Sequence, residues 1–170
     1  MILEISIEDD RWQQDGFNAL AAEVIATTLT HLGINPDTCE LSLLGCNDAR
    51  ITELNGEFRD KPKATNVLSW PAEDLAPELA GEKPDKPEPD FTGEISLGDI
   101  AISYDTCALE AADAGKPMED HVSHLVVHGV LHLLGYDHIR DPDATLMEAI
   151  EVEILGKLGV DNPYTENDSP

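Results

Sequence analysis

The chain opens on a run, Met1 to Ile7, in which apolar and polar positions alternate loosely, the period of a strand. A polar patch, 8–15, follows. From Phe17 the period changes: Phe17, Leu20, Val24 and Leu32 recur at helical spacing, and Gly33 stands where a left-handed helix terminus belongs. Asn35-Pro36-Asp37 reads as a turn and 38–44 as a second strand. Asn47 is a suitable N-cap for a helix reaching Phe58, with Ile51, Leu54 and Phe58 on one face. A polar loop, 59–66, leads to a short strand, 67–70, stopped by Pro71.

Segment 72–92 differs in kind. It holds four prolines and seven acids against two lysines, so it can build neither a core nor a sheet ladder, and it reads as a mobile surface loop without assigned function. The next strand, 93–102, carries Asp99 inside an apolar run, which demands an explanation. Ser103 can cap a helix over 104–114 ended by Gly115. Pro117 fits the first turn of a helix reaching Leu134, and Asp141-Pro142 starts a last helix to Leu155, ended by Gly156. Strands interleaved with helices, then three helices together, predict an α+β fold: one domain over 1–160, a mixed four-stranded sheet and about five helices. Residues 161–170 form a polar tail.

Composition narrows the function. The 170 residues are 41% hydrophobic, enough for one sizeable core. Ten Lys and Arg stand against 35 Asp and Glu, a net charge of −25, which repels polyanions from most of the surface. A protein that coats nucleic acid should be basic, so only a small basic site is compatible. No apolar stretch approaches the ~18–20 residues of a membrane span, and the N-terminus lacks a signal peptide's basic start. Cys39, Cys46 and Cys107 are odd in number and irregularly spaced; they read as buried free thiols in a reducing cytoplasm.

Five of the six histidines fall between 121 and 138. Every residue from Leu125 to Leu134 is aliphatic except His128, Gly129 and His132, so this helix is buried. His128 and His132 are four apart and share one face. Gly135 can end the helix sharply and let His138 fold back towards them. Three neutral imidazoles on a tetrahedral metal leave one position open, the arrangement of a catalytic zinc. His121 and His124 read as surface histidines, although His124 lies one turn before His128 and can stand behind the ligands. Asp137 can orient a ligand histidine or a bound water, or simply be solvated. The spacing matches the metzincin proteases, but the glutamate that serves those enzymes as general base is here Gly129. Peptide hydrolysis by that route lacks its base.

The block from His128 to His138, His-Gly-Val-Leu-His-Leu-Leu-Gly-Tyr-Asp-His, resembles the signature of the YbeY family of bacterial rRNA-maturation endoribonucleases. Residues 54–71, with Arg59 in their loop, resemble that family's arginine-containing block, and 93–102 its central strand; the likeness runs over 1–157. Asn66 and Trp70 depart from the Asp and Phe expected there, as does the long acidic loop. The resemblance implies one zinc ion per chain on His128, His132 and His138, and Arg59 as a catalytic or RNA-contacting group. It further implies single-strand-specific endoribonuclease activity in small-subunit (16S) rRNA 3′-end maturation and late ribosome quality control. The partners would be rRNA, the small ribosomal subunit and a ribosomal or assembly-factor protein, with no DNA and no membrane.

Local charge agrees: 50–63 carries four bases against three acids, while the rest carries six against 32. Lys61 and Lys63 are candidate RNA contacts. Arg59, a planar fork suited to phosphoryl oxygens, would stabilise charge on the phosphorane. Gly129 would leave room for a nucleotide. The nucleophile, water or the 2′-hydroxyl, and the general base stay open. Two alternatives also stay open: a metzincin-like metallopeptidase, and a non-catalytic ribosome assembly factor with a structural metal.

Overall fold

The computed structural model describes residues 1–13 and 16–164. Its four strands are β1 (Ile2–Ile7), β2 (Cys39–Cys46), β3 (Val67–Pro71) and β4 (Ile95–Ser103), in the sheet order β1-β2-β4-β3. The pairs β1/β2 and β2/β4 are parallel; β3 is an antiparallel edge strand on β4. The helices are α1 (Phe17–His31), α2 (Asp48–Arg59), α3 (Tyr104–Ala114), α4 (Met118–Leu133) and α5 (Asp141–Lys157). This is the expected α+β fold with a mixed sheet. The short 3-10 turn Pro36–Thr38, capped by Asn35, is the turn expected there, whereas the 3-10 turn Asp10–Trp12 was not anticipated.

The main core lies on one face of the sheet. Leu41, Leu43, Ile100 and Ile102 of the strands pack there with Val24, Ile25 and Leu29 of α1, Val126, Val130 and Leu131 of α4, and Ile154 and Leu155 of α5. On the other face, Cys46, Leu68 and Ala101 pack with Ile51 and Leu54 of α2. Helix α4 touches α1, α3, α5, β3 and β4, which is why its sequence is apolar nearly all round. Gly129 lets it come close: a Cβ there would lie 3.2 Å from Ile100 of β4.

A bulge accounts for Asp99. Glu40 pairs with Ser96 but Leu41 pairs with Gly98, so Leu97 is the extra residue. Ile95 and Leu97 face the main core before it, Ile100 and Ile102 after it. Asp99 is thereby turned to the exposed side, where it accepts a hydrogen bond from Ser42. Gly98 has φ +130°, and a Cβ there would sit 2.1 Å from the Trp70 carbonyl oxygen, so no other residue fits.

Several local expectations need correction. Phe58 is 62% exposed, with Trp70 of the edge strand edge-on to it at 5.7 Å. Pro117 is the N-cap of α4, not its first helical residue. Ser103 precedes α3 but donates to Asp48 instead of capping its own helix. Helix α5 runs through Gly156 to Lys157, and Gly159, at φ +77°, makes the turn.

The acidic segment 72–92 lacks regular structure, as expected, yet it is fastened. The Arg140 guanidinium donates to the carbonyls of Pro77 and Glu78 (3.0 and 2.8 Å), and the Gly81 N–H donates to Asp143 (2.8 Å). An irregular backbone leaves its carbonyls without ladder partners, and Arg140 supplies donors to them. Cys39, Cys46 and Cys107 are free and buried. Of the polar tail, 161–164 are described and the remainder lies outside the described residues. Among the described residues no helix is long and apolar enough to cross a membrane.

Candidate metal centre

His128 and His132 lie one turn apart on α4, with their Nε2 atoms 3.1 Å from each other. The helix stops because Gly135 adopts φ +98° and the Tyr136 N–H returns to the Leu131 carbonyl at 3.0 Å. That reversal brings His138 round. Ring centroids stand 5.1 Å apart for both His128–His138 and His132–His138, and the donor atoms of all three lie within 4.8 Å of one another. Ligand nitrogens on a tetrahedral zinc are spaced by about 3.3 Å, from bonds of ~2.0–2.1 Å. The His128–His132 pair is already near that spacing, and the His138 donor atom lies within 4.8 Å of both.

The electrostatics suit a cation. Burial first, then the neighbouring His128 and His138, push His132 down to about 4, so its imidazole is neutral and keeps a lone pair. An all-imidazole set facing a cleft fits zinc or a similar first-row ion with an open coordination position. These three residues could therefore hold the expected metal.

Behind the ligands stands Glu151, a fully buried residue of α5. The His128 Nδ1–H donates to Glu151 Oε2 at 2.6 Å, an assignment that follows from the carboxylate being an acceptor, and Nε2 is left bare towards the cleft. Burial pushes the Glu151 carboxyl up, but hydrogen bonds from His124 and His128 outweigh it and hold the group at about 2. His124 reaches Glu151 Oε1 with its Nε2 (3.2 Å), so it shares that carboxylate with His128. Tyr164 also donates to Glu151 Oε1.

Other predicted residues fall as follows. Asp137 accepts the His138 backbone N–H at 2.7 Å, a contact to the main chain of that histidine. His121, expected at the surface, is buried against Glu110 (2.8 Å), away from the three ligands. Gly129 does not open the cleft; its missing side chain is the space Ile100 fills.

Arg59 ends α2. Asp60 follows in the left-handed region (φ 56°) and turns the chain, and Asn55 Nδ2 holds the Lys63 carbonyl at 3.0 Å. Arg59 Nη2 donates to the Ser69 carbonyl of β3 at 2.7 Å. These contacts place Arg59, Lys61 and Lys63 on a cleft of about 730 Å³ whose lining includes His128, His132, Asp137 and His138. Asp74, Leu75 and Ala76, the start of the fastened segment, form another part of its wall. Leu75 packs on Gly135, where a Cβ would come within 2.6 Å of the Leu75 carbonyl.

Sequence reasoning missed Glu151, Tyr164 and this wall. One signal was present for Glu151: it falls among Met147, Ile150, Ile154 and Leu155, on the apolar stripe of α5, where a charge needs partners.

Comparison with known proteins agrees with this architecture. The profile of the family described as Endoribonuclease YbeY matches residues 4–159. The Endoribonuclease YbeY of Ruegeria pomeroyi is 63% identical over 165 residues, 97% of this chain and 99% of that one. That of Dinoroseobacter shibae is 53% identical, covering 95% and 90%. A Thermotoga maritima protein solved in solution aligns over 97% of this chain and 100% of its own, with a TM-score of 0.55 at 17% identity, a likeness of fold alone. A family profile over nearly the whole length, and relatives this similar from end to end, mean that the chain belongs to the Endoribonuclease YbeY family.

Proposed function

We propose that the protein is a single-strand-specific endoribonuclease that works with one zinc ion on His128, His132 and His138. We place it in small-subunit (16S) rRNA 3′-end maturation and late ribosome quality control in the cytoplasm. The observation that carries the reading is one cleft lined both by the three imidazoles and by Arg59, Lys61 and Lys63. Zinc bound there would polarise a phosphoryl oxygen or bring a water's pKa near ~7. The chain's own residues do the rest. Arg59, anchored to β3 by one nitrogen, directs its remaining donors at the charge that grows on the phosphoryl oxygens. Lys61 and Lys63 hold flanking phosphates. Glu151 keeps His128 in the ligating tautomer.

The edge strand favours RNA over an extended peptide. Pairing of Asn66 with Ser103 and of Ala72 with Leu97 turns the backbone groups of 67, 69 and 71 to the open edge. The Val67 N–H is taken by the Asn66 side chain, the Ser69 carbonyl by Arg59, and Pro71 has no N–H. A substrate strand would thus lose half of the backbone partners that this edge would otherwise offer.

The strongly acidic surface supports presentation of the substrate by the ribosomal particle or a protein partner. Binding of free RNA should show a shallow salt slope of ~0.7 per phosphate contact. The deciding experiment incubates the zinc-loaded protein with single-stranded RNA, duplex RNA and a quenched peptide, beside His132→Ala. Cleavage of single-stranded RNA by the parent protein only is expected. Equal cleavage by His132→Ala, or cleavage of the peptide alone, overturns the reading.

A further inference from the structure

The chain does not end its work at α5. Past Lys157, Gly159 turns it at φ +77° and the Val160 N–H bonds back to the Leu155 carbonyl at 2.9 Å. Asn162 then holds the Tyr164 N–H at 2.8 Å. The Tyr164 hydroxyl is thereby brought onto Glu151, thirteen residues earlier in the chain and wholly buried. The tyrosine ring also stands edge-on to His124, centroids 5.4 Å apart, with its hydroxyl 3.1 Å from His124 Nε2.

A buried carboxylate is costly unless its oxygens are met by donors. Oε2 is met by His128, and Oε1 by His124 and Tyr164. Two of these three donors touch no metal. Their effect is to fix the Glu151 carboxylate in place, and an acceptor so placed is what holds the His128 proton on Nδ1.

We infer that the segment after α5 is a working part of the metal centre: Tyr164, with His124, clamps Glu151, and Glu151 fixes the tautomer and orientation in which His128 offers Nε2 to the ion. Tyr164 and Glu151 are positioning residues; neither meets substrate. Burial and the adjacent carboxylate raise the phenol above its ordinary range, so Tyr164 stays a donor at neutral pH. The inference rests on the metal-binding reading given above for its consequence, but the tautomer can be read without any metal.

The test compares the full chain with Tyr164→Phe and Glu151→Gln, using His132→Ala as the control for the metal site itself. Two readouts apply. In metal-free protein, imidazole nitrogen shifts report the His128 tautomer. In zinc competition against a chromogenic chelator, affinity is measured directly. Wild type should show a single Nδ1-protonated form at His128. Glu151→Gln should mix the tautomers and weaken zinc binding about 10–100-fold, the usual effect of losing a ligand's supporting carboxylate. Tyr164→Phe should do the same in milder form, near the tenfold end of that range. If both variants keep the wild-type tautomer and affinity, and only melting temperature moves, the clamp is structural and the inference is wrong. If wild type binds no zinc at all, the metal-binding reading fails, and the tautomer comparison still decides the role of Glu151 and Tyr164.

Discussion

Replacing Gly135 by alanine should damage the metal centre and the fold together. Gly135 sits at φ +98°, and holding an L-residue in left-handed backbone costs about 1–2 kcal/mol. The new Cβ would lie 2.6 Å from the carbonyl carbon and oxygen of Leu75 and 2.9 Å from its Cβ. Those backbone atoms have little freedom, because Arg140 grips the same segment at Pro77 and Glu78. Overpacking of that kind adds about 1–3 kcal/mol. A total of about 3 kcal/mol lowers the melting temperature of a chain this size by about 6–12 °C. The strain falls on the turn that carries His138, so zinc affinity should drop too, whereas a purely remote defect would leave it alone. Gly156→Ala is the matched control. It lies within α5 with nothing near its Cβ position, and should gain about 0.8–1 kcal/mol of helix propensity. Calorimetry with and without zinc, plus chelator competition, measures all of this. If Gly135→Ala melts within 2 °C of wild type, a shift of under about 1 kcal/mol, and binds zinc normally, the turn is not pinned against the segment as described.

Three further outcomes follow from the same geometry. Gly129→Ala should lower stability by about 1 kcal/mol, the crowding against buried Ile100 exceeding the helix-propensity gain; RNA cleavage per folded molecule should stay unchanged, and selective loss of cleavage would return Gly129 to the cleft. Arg59→Ala should keep zinc and melting temperature but cut single-turnover cleavage ~10²–10³-fold, with Arg59→Lys rescuing only in part; a wild-type rate would remove Arg59 from the chemistry. In metal-free protein His132 titrates lower when folded, at about 4, than when unfolded, near 6.5. Only the unfolded chain takes up that proton between those values, so stability present above pH 6.5 is lost as pH falls towards 4. Denaturant unfolding at pH 7 and pH 5 checks the sign, and a metal-free protein more stable at pH 5 contradicts it.

The clustering of the three candidate ligands was legible because all its geometry is local. An i, i+4 pair on an apolar helix and a glycine-led reversal are both written in adjacent residues. Arg59 was legible as a cation at a helix end, but its hold on Ser69 depends on where β3 runs. Glu151 was harder, since α5 also carries Glu148 and Glu153 and the three differ only in which way the helix faces. The role of Gly129 was misread because its neighbour, Ile100, is distant in sequence. Asp99 looked anomalous because a strand pattern without a bulge assigns it to the wrong face. Segment 72–92 was correctly denied regular structure, but its attachment to Arg140 and Asp143 is a tertiary fact with no local signature.

All three candidate ligands fall within the eleven residues from His128 to His138, and this bears on what a metal bound there would do for folding. A cross-link between distant segments removes much freedom from the unfolded chain; one that closes so short a loop removes little. The same histidines, close together in the unfolded chain, retain some capacity to chelate there, and binding to the unfolded state subtracts from the stabilisation that native binding confers. The large core on the α1–α4–α5 face is built without any contribution from the ion. Chelation should therefore leave a folded apoprotein, unlike small zinc domains that collapse without their metal. In this chain a metal would be a tenant of a finished building.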